Sequence, residues 1–285
     1  MNIDDSFRSR LVATFRPLNT VAASRAFPSP GTLANSLARA TPRAGALSRT
    51  ITPQLASYFG TAAVEMWLRS VHSFLISTSL TDASPIWASV SGYYASHYSV
   101  RGMAHLLGYF YLFRGRAVAR LELGARGGYI CSYPPRPTGV SLGGEHQLYW
   151  ALVKRDPVFA ADPLFTDNNQ DRDESDAAHR NFANYIDHIS RYPVFHPLDE
   201  ASIKDRVDHI SKIVLDDIPI PRRSRFPDVD YVQLIAYHRI ISFRKVLDEA
   251  LGRDNRFWNV HRTPSFAAAF MDFQLAERSG ITQPS

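Results

Sequence analysis

A mainly α fold, a helical bundle with one inserted β-hairpin and a flexible, basic N-terminal arm, is what this chain predicts. Three observations carry it. Apolar residues recur at helical spacing through several long segments. The period switches to strict alternation once, between 117 and 133. Residues 6–50 are rich in Ser, Ala, Thr, Pro and Arg, hold no acid and show no sustained period. The expected organisation is a mobile arm over 1–50 and a helical domain over 51–285. The hairpin is expected at about 115–133, with a sub-boundary near 157–175.

The arm also holds the charge. Residues 1–64 carry seven arginines against two acids, which is the whole net charge of +5; the other 221 residues hold 25 basic and 25 acidic groups. The basic pI therefore says nothing about the folded body. An Arg- and Ser-rich, acid-poor start resembles an organelle transit peptide, but Asp4 and Asp5 argue against one. No continuous apolar stretch marks a secretory signal. The longest uncharged apolar run, Leu106–Phe113, is too short for a membrane span. With one cysteine, Cys131, neither an intrachain disulfide nor a cysteine zinc site can form. A cytoplasmic protein without membrane association is expected.

The body opens at Thr52-Pro53, a cap followed by a proline at the first helical turn. Leu55, Phe59, Ala63, Met66, Val71 and Leu75 extend that helix to about Ser77. Thr81 to Pro85 breaks it, Ser84 capping and Pro85 opening the next helix. Ile86 to Phe113 reads as this second helix, on Ile86, Val90, Tyr94, Val100, Ala104, Leu107 and Tyr111. The short connection makes the two an antiparallel pair.

Ala117, Ala119, Leu121 and Leu123 then alternate with Val118, Arg120 and Glu122. Gly124–Gly128 turns the chain into Tyr129–Tyr133. Helices follow at about Glu145–Arg155, Ser175–Tyr192, Asp199–Val214, Asp228–Leu251 (ended by Gly252) and Pro264–Arg278. Between the third and fourth of these lies a Pro- and Arg-rich linker.

Common catalytic signatures are missing: no P-loop, no GxGxxG after a strand, no GxSxG, no HExxH. The glycine cluster 124–128 precedes no helix, so it is a turn. The acidic loop from Asp167 spaces Asp167, Asn169, Asp171, Asp173 and Ser175 like calcium ligands. Arg172 stands where the turn needs glycine, and Ala178 where a bidentate Glu is needed. The loop is read as solvated, and no metal or cofactor is expected.

Two constellations remain. Tyr93, His97, Arg101 and His105 recur every four residues, so they stack along one side of a helix. Either they are hydrogen-bonded core and boundary residues, or His97, Arg101 and His105 contact a phosphodiester. Arginine matches phosphate with paired donors, and histidine moves protons near neutral pH. The second group, Arg172, Asp173, His179, Arg180, Asn181, Tyr185 and His188, straddles a helix start, which favours anions. Surface ion pairing is its plainer reading.

The segment SGYYASHYSVRGMAHLLG resembles a helix of HEPN-type domains. The residues that carry the likeness are Tyr93-Tyr94-Ala95, His97-Tyr98, Arg101 and Leu106-Leu107-Gly108, within about 60 residues of the chain. That resemblance implies a helical bundle, frequently dimeric. It also implies a metal-independent RNase of toxin–antitoxin, abortive-infection or other phage-defence systems. The family's catalytic signature is an Arg, commonly followed by a polar residue, with a His a short gap later. Six residues separate Arg172 from His179, which fits. Seven separate Arg180 from His188 and three separate Arg101 from His105, which fall outside it. The hairpin and the C-terminal half are not implied by the family.

Two functions are therefore expected. In one, the chain is a HEPN-like endoribonuclease or RNA-binding protein, with Arg172, His179 and Arg180 catalytic, and His97, Arg101 and His105 on the RNA. It would act as a homodimer, with an antitoxin or sensor subunit as a further partner. In the other, the helical body is a non-catalytic interaction or regulatory module acting through a protein partner. The balanced charge of residues 65–285 favours the second, since an RNA-cleaving surface usually carries a basic patch.

Overall fold

The structure is a computed structural model, describing residues 3–22, 48–112, 117–134, 145–160, 162, 164–165, 200–212, 229–252 and 257. Helices dominate these residues, joined by one small antiparallel sheet. The sequence-predicted helices at 175–192 and 264–278 lie outside the described residues, as does the Asp167 loop. The chain divides into two compact units. One contains residues 1–67, 100–165 and 243–263; the other contains 68–99, 166–242 and 264–285.

The first unit corrects the expected arm. Asp4 accepts the Phe7 N–H at 2.7 Å and caps α1 (Asp5–Phe15). A 3-10 turn (Arg16–Leu18) and a short helix α2 (Asn19–Ala22) follow. Phe7, Leu11, Phe15 and Leu18 are all buried. Their i, i+4, i+8, i+11 spacing is a helical stripe that the polar residues between them masked. Phe7 meets Phe159 edge to face at 5.6 Å. Arg8 pairs with Glu249, and Asn19 donates to the Leu251 carbonyl at 2.8 Å. Residues 5–22 are thus packed helix, and residues 48–51 are a strand rather than part of an arm.

That strand, β1 (Ser48–Ile51), also changes the expected hairpin. β2 (Tyr109–Leu112), β3 (Ala117–Leu123) and β4 (Tyr129–Ser132) join it in a four-stranded sheet of order β1-β4-β3-β2. Every pairing is antiparallel, with Ser48 opposite Ser132, Leu123 opposite Tyr129 and Tyr109 opposite Arg120. Tyr129 donates its hydroxyl proton to the Thr14 carbonyl at 3.0 Å and so fastens α1 to the sheet.

The long helices start where their caps lie. Thr52 Oγ1 accepts the Leu55 N–H at 3.3 Å, and α3 spans Pro53–Ser79. α4 spans Pro85–Leu106, seven residues shorter than predicted. Gly108 ends it: φ is +86°, and a Cβ there would stand 2.4 Å from the Leu121 carbonyl oxygen, so only glycine fits. The apolar run then continues as β2. The remaining helices are α5 (Glu145–Val153), α6 (Pro157–Ala160), α7 (Glu200–Lys212) and α8 (Val229–Leu251), the last closed by Gly252 at φ +82°.

In the second unit, α3 and α4 run antiparallel at close range. Ser70 Oγ donates to the Ala95 carbonyl and Ser77 Oγ to the Ala88 carbonyl, each at 2.6 Å. Small side chains on this seam let the backbones approach. Gln233, fully buried on α8, donates to the Ser77 carbonyl at 3.0 Å and to Thr81 Oγ1 at 2.9 Å, and accepts from Arg206 Nε at 3.0 Å. Arg206 also pairs with Asp230.

Candidate interaction face

Helix geometry decides which side chains of α3 and α4 reach solvent. The Ser70–Ala95 and Ser77–Ala88 hydrogen bonds fix the register of the pair. Each residue just before a seam residue is turned about 100° from it. Because the helices are antiparallel, those turns bring Ile76 and Trp87 out on the same side. Stepping by three and four along each helix then gives Arg69 and His72 on α3, and Ser91, Tyr94 and Tyr98 on α4. All of these are at least partly exposed. Trp87 is 59% exposed and Ile76 37%, the two large exposed apolar side chains described in this unit. The Tyr94 and Tyr98 rings lie 6.0 Å apart.

This face is out of phase with the stripe singled out by sequence. His97, in the second unit, is 3% exposed and stacks on Tyr93 at 6.4 Å with an interplanar angle of 10°. His105, in the first unit, is 1% exposed. It stacks on Phe110 at 5.0 Å and meets Tyr149 edge to face at 5.7 Å. Burial, reinforced by the Arg101 guanidinium, pulls its pKa down to about 3 against the opposing pull of the Tyr109 carbonyl. A ring so held is neutral at physiological pH. Arg101 is half-buried, its guanidinium 5.2 Å from the centre of the Tyr149 ring. Both imidazole rings are therefore enclosed by neighbouring side chains and not on the exposed side of α4. Arg172, His179 and Arg180 lie outside the described residues.

Sequence reasoning did not single out Trp87, and named Tyr98 only as part of the HEPN-like segment. Their signal was present: Trp87, Ser91, Tyr94, Tyr98 and Arg101 recur at helical spacing, but aromatics so spaced read equally as core. Cys131 is buried, and burial pushes its thiol pKa up. Among the described residues no group of three His, Cys, Asp or Glu is placed to hold a metal, and no helix is long and apolar enough to cross a membrane. No protein family, curated protein or solved structure was found to match the chain.

Proposed function

We propose that this chain is a non-catalytic helical interaction module, acting through a protein partner that covers the Trp87 face with apolar and acidic side chains. The exposure of Trp87 carries the reading. Tryptophan and tyrosine dominate the energetics of protein interfaces, and leaving a Trp in water forgoes the burial of a large apolar surface. Charge specifies the partner. Asp82 is the one acid between residues 66 and 121, and Arg69 and His72 are exposed on α3. A face so poor in acids does not complement itself by charge, so an acidic partner is favoured over a second copy. RNA is less well served, because its affinity scales with the number of phosphates neutralised, and this face brings few cations to them. The HEPN-like, metal-independent endoribonuclease reading rests on Arg172, His179 and Arg180.

Two measurements test this. Affinity capture with wild type and Trp87→Ala should recover a protein that the variant loses and Trp87→Phe regains. That protein, purified, should then bind the chain directly. RNA incubated with wild type in EDTA should stay intact. Cleavage by wild type that His179→Ala abolishes, or binding indifferent to Trp87→Ala, would overturn the reading.

A further inference from the structure

A groove in the first unit stands apart from that face. It encloses about 380 Å³ between α1, the α4–β2 turn, β3 and the start of α6, a volume within the range of small-ligand sites. Three arginines line it, Arg10, Arg120 and Arg155, with two acids, Glu122 and Asp156.

Both acids are already matched. Asp156 pairs with Arg10 and accepts the Val158 N–H at 3.1 Å, so its charge also serves the α6 N-terminus. Glu122 sits 3.3 Å from Arg120 Nη2. The excess charge is that of Arg155, whose guanidinium makes no ion pair among the described residues. Arg120 is the second cation: its side chain is 42% exposed and lines the groove, while its Nε is enclosed away from solvent. Its guanidinium is held 5.5 Å over the Tyr109 ring, which limits the ways it can swing. The lining also has an apolar element in Leu123, 38% exposed.

A groove with three arginines against two acids and an exposed leucine in its lining selects an amphiphilic anion. We propose that it binds a small phosphate monoester of about mononucleotide size, the phosphate on Arg155 and Arg120 and the organic part on Leu123. Arginine is suited to this because its planar donors meet two phosphate oxygens at once.

Calorimetric titration with adenosine 5′-monophosphate tests the site. Wild type should bind saturably, and more weakly as salt is raised. Arg155→Ala and Arg120→Ala should each weaken binding about tenfold or more, the effect of losing a hydrogen bond to a charged group. Arg126→Ala, which removes the same charge from the exposed β3–β4 turn outside the groove, should leave it unchanged. Arg155 is exposed, so its truncation keeps the fold and the test stands even if Arg120→Ala does not. No saturable binding, or equal losses in all three variants, overturns the proposal. So does inorganic phosphate binding as tightly as the nucleotide, since the organic part would then contribute nothing.

Discussion

His105 Nδ1 donates to the Tyr109 carbonyl at 2.9 Å, across the turn where α4 gives way to β2. The ring is buried, and its pKa of about 3 lies below the unfolded value of 6.5. The unfolded chain therefore binds the extra proton between those pH values. The stabilisation is complete above pH 6.5 and is lost as pH falls toward 3. From pH 7 to 5 this one group should cost about 2 kcal/mol of unfolding free energy. Asn at 105 can keep the donor but cannot titrate. Urea denaturation of His105→Asn should show a pH dependence shallower than wild type by that amount; parallel curves would refute it.

Leu11 lies in the core of the first unit, 2% exposed on α1. Leu11→Ala should destabilise the protein by roughly 2–4 kcal/mol through lost burial and a residual cavity. A residue on a mobile arm would cost nothing measurable. The midpoint of chemical denaturation separates the two.

Gly102 faces Phe243, where an added Cβ would stand 2.0 Å from Cζ. Phe243 is fully buried, so its ring has nowhere to go. Alanine gains about 1 kcal/mol of helix propensity against a larger overpacking cost. Gly102→Ala should come out destabilising by about 1–3 kcal/mol. Adding Phe243→Leu should recover much of that loss, seen as a coupling energy in a double-mutant cycle. Independent, additive effects would show that the contact is not the cause.

Gln233 satisfies Ser77, Thr81 and Arg206 from one buried amide. Gln233→Ala opens a cavity and strands these groups, so a loss of roughly 2–4 kcal/mol is expected. Gln233→Glu should also destabilise, because its carboxylate cannot donate to the Ser77 carbonyl. Thermal unfolding of the two variants reads this directly.

Trp87→Ala should leave stability within about 0.5 kcal/mol of wild type, as an exposed side chain outside the core does. The part of the tryptophan emission that Trp87→Phe removes should be accessible to acrylamide in the free protein and shielded in the complex. A large drop in stability would place Trp87 in the fold and not at an interface.

Local signals made the helices legible. Thr52-Pro53 and Pro85 opened α3 and α4, and Gly252 closed α8, because caps and prolines act within one turn. The end of α4 was hidden by the apolar run Leu106–Phe113, which suits helix or strand alike. What ends the helix is the close approach of Gly108 to Leu121, a contact between residues far apart in the chain. β1 was equally invisible: four residues with mostly exposed side chains become a strand only because β4 supplies their hydrogen bonds. The candidate site suffered most. The same helix carries His97 and His105 inward and Trp87 and Tyr98 outward, and these two sets are interleaved.

By itself, the sequence determined that this protein is mainly helical and where most of its long helices begin, since backbone hydrogen bonds and caps are settled between near neighbours. Tertiary structure alone decided which side of α4 is wet, which strand adopts Ser48–Ile51, and that residues 5–22 are packed. Those outcomes depend on what is buried against what, and burial is a property of segments that meet only after the chain has folded.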